Sequence, residues 1–423
     1  NQLPFRSLYG AVIFGEGMTD IKFFVRGVVY QPQKNNLQPG EVNDPIADDR
    51  IHELERNVSL LTELGINTIF IYFIDNQKPH DRAMKLLEQA GIYVVATVST
   101  PFNCIHRANP YASYNSDKVS HFLRTAGIMS CYPNTLGLAA ADALVNNHQS
   151  LCAAPVIKAV IRDLKRYMIW SNKHNGTRIL PVSYSAADVL NITRPQGFLE
   201  YLYLGDQAGV VDFWMCKNYS WAGESSMAMS GWDSFRYEKF AIPAFLSEYG
   251  TNLIRPRQFH ETRALYSDPM TRVFSGGCLY DFAEGPNGYG LVALPGTDET
   301  GWFGKSDIVE THGAETRDTD AGKLYILYDF GNYKAALAEP TSHNSSWGTM
   351  ELEAVERHNP DELALGSELQ MPETCIDWDN IEGLIGAGMP SPLETITQRL
   401  ESTSILERTS GQAEHGSTCR TDD

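Results

Sequence analysis

The stretch AIPAFLSEYGTN (241–252) runs from apolar, strand-like residues into Ser, Glu, Tyr and Gly. Near-continuous apolar character marks a strand buried on both faces, because a sheet with one wet face alternates apolar and polar residues. Seven other runs read the same way: FFVRGVVY (23–30), TIFIYFI (68–74), YVVATVS (93–99), TLGLAAA (135–141), LPVSYSA (180–186), VVDFWMCKNY (210–219) and VFSGGCLYDFAE (273–284). Helical spacing fills the gaps between them. Leu54, Val58, Leu61 and Leu64 share one face and Gly65 follows as a stop. Met84 and Leu87 precede Gly91, and Val156, Ile157, Val160, Ile161, Leu164 and Met168 form a long stripe after Pro155. Strand and helix alternating eight times predict an α/β chain folded as a (β/α)8 TIM barrel. A doubly wound open sheet is the competing fold. It wants a Gly-rich phosphate loop after the first strand, whereas GEG (15–17) precedes that strand and lacks a third Gly. The barrel is expected over residues 1–340, closed by the helix DFGNYKAALA (329–338) after a polar insertion at about 295–322.

Composition narrows the function. The net charge is −18 with no Lys/Arg-rich run, which excludes a phosphate-binding surface, so no nucleic-acid partner is expected. No apolar stretch approaches the ~20 residues of a membrane-spanning helix. The N-terminus NQLPFRSLYGAVIFGEG lacks the charged-then-apolar order of a secretory signal, leaving either a cytosolic protein or a processed one. The seven Cys form no CxxC and no metal spacing with His, so they read as structural thiols, and neither metal nor cofactor is expected. Sequons at Asn57, Asn175, Asn191, Asn218 and Asn344 lean towards secretion. From Met350 to Glu382 there are ten acidic residues and one basic one. Residues 341–423 are therefore expected to be an acidic tail of low order with at most short helices.

Barrel chemistry sits at the C-terminal ends of the strands. Those ends present Tyr30, Gln31, Tyr72, Asp75, Ser99, Asp142, Tyr184, Tyr219, Trp221, Glu248, Tyr249, Tyr280, Asp281 and Glu284. The set holds no Lys placed for a Schiff base, no His cluster and no Ser/His/Asp arrangement. Aromatic faces stack on sugar rings, and carboxylates and amides bind hydroxyls, so the set points to carbohydrate. A retaining sugar-cleaving barrel needs two carboxylates, a nucleophile and an acid/base ~5 Å apart. Glu248, closing the seventh strand, suits the nucleophile. The fourth strand, where the acid/base is expected, reads TLGLAAADALVNN and contains no Glu.

The motifs FFVRGVVYQP, ELGINTIFIYFIDNQKPHDRAM, APVIKAVIRDLKRYM, ILPVSYSAAD, IPAFLSEYGTNLIRPRQFHETRALYSDPMTRVFSGG and DFGNYKAALA resemble glycoside hydrolase family 72, the fungal cell-wall β-1,3-glucanosyltransferases, over about residues 18–340. The block around Glu248 is the most specific. The resemblance implies a retaining transglycosylase that cuts β-1,3-glucan and rejoins the new end to another chain. It places Glu248 at the nucleophile, and Gln31, Tyr72, Tyr219 and Trp221 at glucan-site positions, with Tyr280 a further candidate. The family's Gly-Asn-Glu-Val motif falls on Ala141, Asp142, Ala143 and Leu144. Its acid/base Glu is therefore Ala143 here, and its sugar-binding Asn is Asp142. Phe70, Thr97 and Phe282 replace polar members of the same cleft. The resemblance also implies that two disulfides are absent, their Cys positions being Leu54 with Ala83 and Ala222 with Thr251. Two expectations follow. The chain binds β-1,3-glucan with little or no turnover, or it is active with a substitute acid at Asp142, Asp281 or Glu284. An extracellular place, in the wall or lipid-anchored, is implied by the resemblance alone.

Overall fold

Eight apolar runs close on one another. The computed structural model describes residues 5–8, 11–14, 21–34, 37–189, 198–203, 205, 207–237, 242–295, 313–339 and 370–385. Within them, strands β1 (Val25–Val29), β2 (Thr68–Ile71), β3 (Tyr93–Thr97), β4 (Thr135–Asp142), β5 (Val182–Ala186), β6 (Trp214–Asn218), β7 (Ala244–Tyr249) and β8 (Gly276–Leu279) form a closed barrel. Every neighbouring pair is parallel, β8 pairing with β1 to complete the ring. Each expected strand lies in this barrel, as the (β/α)8 reading requires.

The apolar residues divide into two layers because successive strand residues face opposite ways. Val25, Val29, Phe70, Val95, Leu136, Ala139, Phe213, Met215, Phe245 and Cys278 fill the barrel interior. The opposite faces meet the helices, notably α1 (Ile51–Leu64), α2 (Asp81–Gln89), α3 (Ser116–Met129) and α4 (Ala154–Asn175). Helix α1 buries Leu54, Val58, Leu61 and Leu64 and ends at Gly65, whose φ of 78° an L side chain adopts only at a cost. Leu54 and Ala83 are both fully buried in this outer layer. Beyond β5 the helices shorten: α5 (Phe198–Tyr203), a 3-10 turn at Trp232–Tyr237, α6 (His260–Leu265), then α7 (Tyr328–Ala338) after β8.

Gly27 lies where β1 passes between β2 and β8. A Cβ built there would stand 2.5 Å from Cys278 Sγ and 3.0 Å from the Thr68 carbonyl oxygen. Gly27→Ala is expected to destabilise the barrel by about 1–3 kcal/mol through overpacking. A urea melt would show this, and an unchanged midpoint would mean that the interior yields more readily than its packing suggests.

Three features depart from the sequence reading. Phe23 ends a three-stranded antiparallel sheet (Phe5–Leu8, Ala11–Phe14, Ile21–Phe23) instead of opening β1. The polar insertion contains a strand, Gly313–Thr319, paired antiparallel with Gly322–Leu327. Its sequence GAETRDT lacks apolar alternation because it lies on a sheet edge facing solvent. Residues 370–385, within the stretch read as tail, dock on the helical layer. Arg124 donates to the carbonyls of Leu384 and Ile385 at 2.8 and 2.9 Å, and Arg162 donates to that of Pro372 at 2.8 Å. The Arg166 guanidinium lies 4.2 Å from the Trp378 ring centre, and Ile376, Ile381 and Ile385 are buried. The acidic composition of the surroundings hides this short apolar segment.

Candidate active site

Glu248 reaches the barrel mouth through an irregularity in its strand. Phe245 faces the interior and Leu246 the outer layer, so strict alternation would turn residue 248 outward. The register with β6 slips instead: Leu246 pairs with Cys216, and Glu248 pairs with Lys217. The extra residue, Ser247, meets Ser185 at 2.9 Å between hydroxyl oxygens, and Glu248 turns inward. Strand β4 repeats the device. Ala139 pairs with Ser183 and Asp142 with Ser185, Ala140 and Ala141 both face the outer layer, and Asp142 turns inward. Two bulges thus aim two carboxylates into one cleft.

Glu248 is 5% exposed and fully engaged. The Tyr72 hydroxyl donates to Oε1, and the Tyr219 hydroxyl donates to Oε2 at 2.8 Å. Burial and the adjacent carboxylate push both phenols above their ordinary pKa, so both act as neutral donors. Lys217 Nζ lies 2.6 Å from Glu248 Oε1 and 2.8 Å from Asp142 Oδ2. Burial opposes its charge, but the two carboxylates prevail and raise its pKa. The strand-end residues singled out from the sequence did not include Lys217, which stands between the two carboxylates. It went unseen because it lies inside an apolar run one residue before the strand end. Asp142 Oδ1 is buried without a hydrogen-bond partner.

Ala143 follows the last residue of β4 with φ 46°. Its N–H donates to the Ser185 carbonyl at 2.8 Å, while Arg107 clamps the carbonyls of Ala143 and Leu144 at 2.6 and 2.7 Å. The left-handed turn is held from both sides, and its side chain is a methyl. Asp142 and Ala143 therefore do not share one continuous strand geometry.

The other candidates divide. Gln31 accepts from the Tyr72 N–H at 3.0 Å and donates to the Asn43 carbonyl, so its amide holds the β1 and β2 ends together. Trp221 is buried edge-to-face against Trp232 at 5.2 Å, where it offers no open stacking face. Tyr280 is half-buried and meets Tyr219 at 6.2 Å and Tyr289 at 5.0 Å. Tyr289, in the loop after β8, completes an aromatic group that strand-end reasoning missed. Thr97 donates to the Tyr72 carbonyl, Phe70 fills the interior, and Phe282 packs on Tyr30.

Two further carboxylates lie near β8. Burial, with Glu284 and Glu248 nearby, pushes Asp281 up to about 7. Glu284 pairs with Arg255 at 3.2 Å. Arg255 and Arg257 share Asp329 at 3.2 and 2.7 Å, and Arg257 also donates to the Tyr280 carbonyl at 2.8 Å. Among the described residues, no group of His, Cys, Asp and Glu is placed to hold a metal ion, and no helix is long and apolar enough to cross a membrane.

A model of glycoside hydrolase family 72, described as glucanosyltransferase, matches residues 10–310. The chain belongs to this family. It is 39% identical over 356 residues to the 1,3-beta-glucanosyltransferase PGA4 of Candida albicans, covering 78% of this chain and 76% of that one. It is 38% identical to GAS5 of Saccharomyces cerevisiae, covering 66% of this chain but 56% of the relative. Among solved structures, a mutant of Saccharomyces cerevisiae Gas2p in complex with laminaritetraose and laminaripentaose superposes with a TM-score of 0.65 at 32% identity. That match covers 80% of this chain and 68% of that one.

Among the described residues six Cys are free. Two of the sequons sit on residues already committed to the interior. Asn57 donates to the Tyr30 hydroxyl at 2.9 Å, and Asn218 accepts from Trp232 Nε1 at 2.7 Å. Asn191 and Asn344 lie outside the described residues.

Proposed function

We propose that this family 72 chain binds β-1,3-glucan at the barrel mouth and turns it over little or not at all. What supports the reading is a methyl at Ala143, where the resemblance puts the family's acid/base carboxyl, while Glu248 is still gripped by Tyr72 and Tyr219. In the family reaction the nucleophile attacks the anomeric carbon while an acid protonates the departing oxygen. The same group then takes the proton of the incoming hydroxyl. Both steps need that carboxyl, and losing a general acid typically costs ~10²–10⁴-fold. Binding does not need it: Tyr219, Tyr280 and Tyr289 offer an aromatic surface. A glucan-rich place outside the cell, in the wall or lipid-anchored, fits this reading and the family's fungal relatives.

A second reading rests on Asp281. Of the three substitute acids, Asp142 is paired with Lys217 and Glu284 with Arg255, which leaves Asp281 as the carboxyl shifted to about 7 and half protonated near neutral pH. An active site run by Asp281 would lose rate as pH rises through about 7, because only its protonated form donates.

One experiment separates the two readings. The chain is incubated with laminaripentaose at pH 6, and products are read by mass spectrometry while binding is read by calorimetry. Binding without products longer or shorter than the input is expected. Longer products would overturn the binding-only reading, and their disappearance in Asp281→Asn would establish the second.

A further inference from the structure

Lys217 has no part in the reaction just described, yet it occupies the centre of the site. It reaches the mouth from β6 directly across the register from Glu248, and its side chain is 14% exposed. Its ammonium touches Glu248 Oε1 at 2.6 Å and Asp142 Oδ2 at 2.8 Å and lies 5.6 Å from the Tyr72 ring centre. With the phenols of Tyr72 and Tyr219, it completes a shell in which both Glu248 oxygens are occupied.

We propose that Lys217 is an electrostatic lock on Glu248, which suppresses attack by the nucleophile independently of the missing acid. The proposal rests on the reading of the site as a glucan-binding cleft. In the covalent step a Glu248 oxygen forms a bond to the anomeric carbon. The bond from that carbon to the leaving group breaks, and its electron pair departs with the leaving group. Positive charge gathers on the anomeric carbon and ring oxygen during this exchange. A bare carboxylate stabilises that charge, whereas a carboxylate neutralised by an ammonium at 2.6 Å does not, and the ammonium also repels it. Ground-state glucan is neutral and meets no such penalty. The same ion pair therefore favours holding the sugar over cleaving it.

The test uses a 2-deoxy-2-fluoro laminaribiosyl fluoride, whose fluoride departs with its electron pair and needs no acid. Accumulation of the glycosyl ester on Glu248 is followed by intact-protein mass, with peptide mapping for the site. The native chain is compared with Asp142→Asn/Lys217→Asn, which removes the ion pair without leaving two facing carboxylates, and with Lys217→Gln. Calorimetry with laminaripentaose checks that each variant keeps its cleft. Labelling of the double variant is expected to be about 100-fold faster than that of the native chain, the scale of one electrostatic contact to a transition state. Equal labelling rates would overturn the lock, as would absence of label from variants that still bind laminaripentaose. Products from unmodified laminaripentaose, which this labelling does not read, would instead sink the binding-only reading.

Discussion

Ala143→Glu combined with Asp142→Asn and Lys217→Asn is expected to make longer and shorter products from laminaripentaose at least about 10³-fold faster than the native chain. Ala143→Glu alone is expected to fall short of that by about 100-fold. The backbone already accommodates a Cβ at φ 46°, so a longer side chain adds no new strain there. Arg107 and Ser185 fix the turn through main-chain atoms, which the substitution leaves untouched. Residue 143 is half-buried, so a carboxyl has room to reach the cleft. The single substitution supplies the acid but leaves the nucleophile neutralised by Lys217. Time courses of product length by mass spectrometry decide the matter. A single variant as fast as the triple one would show that the acid was the sole defect. A silent triple variant that still binds would move the blame to Phe70, Thr97 or Phe282.

Arg257→Met is expected to cost about 3–5 kcal/mol of stability, the usual range when one partner of a buried ion pair is removed. Arg257 is 3% exposed and ties three elements together. Its Nε meets Asp329 in α7 at 2.7 Å, its Nη1 donates to the Tyr280 carbonyl after β8 at 2.8 Å, and its own N–H donates to Asp329 at 2.9 Å. Without the guanidinium, Asp329 keeps only the 3.2 Å contact with Arg255 as its ion pair, and Arg255 is already shared with Glu284. Methionine preserves most of the side-chain bulk, so the loss reports charge and hydrogen bonding more than packing. Urea unfolding measures it, and a loss below about 1 kcal/mol would show that Arg255 carries the cluster alone.

Much of this molecule was legible in the chain itself, and the misses share a cause. Strands β1–β8 were visible because parallel strands are apolar on both faces, a property each run shows without reference to its neighbours. GAETRDT was missed because an exposed edge strand lacks that signature. The docked residues 370–385 were missed because charge was averaged over a long acidic span, while the contacts depend on Ile376, Trp378 and the cations of α3 and α4. Trp221 stood out as an aromatic near a strand end, but aromatic character does not distinguish a sugar platform from the core position it occupies.

By itself, then, the sequence determined the barrel, the position of Glu248 at the end of its seventh strand, and the absence of a Glu from the end of the fourth. These depend on residue identity and on local apolar patterning. Only the tertiary structure decided that Glu248 and Asp142 face the same cleft and that Lys217 joins them there. The physical reason is register. A strand's two faces are equivalent until its neighbours set the pairing, and one extra residue at Ser247, or between Ala139 and Asp142, reverses which face a side chain takes. No single run carries that information, because the bulge exists only between two strands.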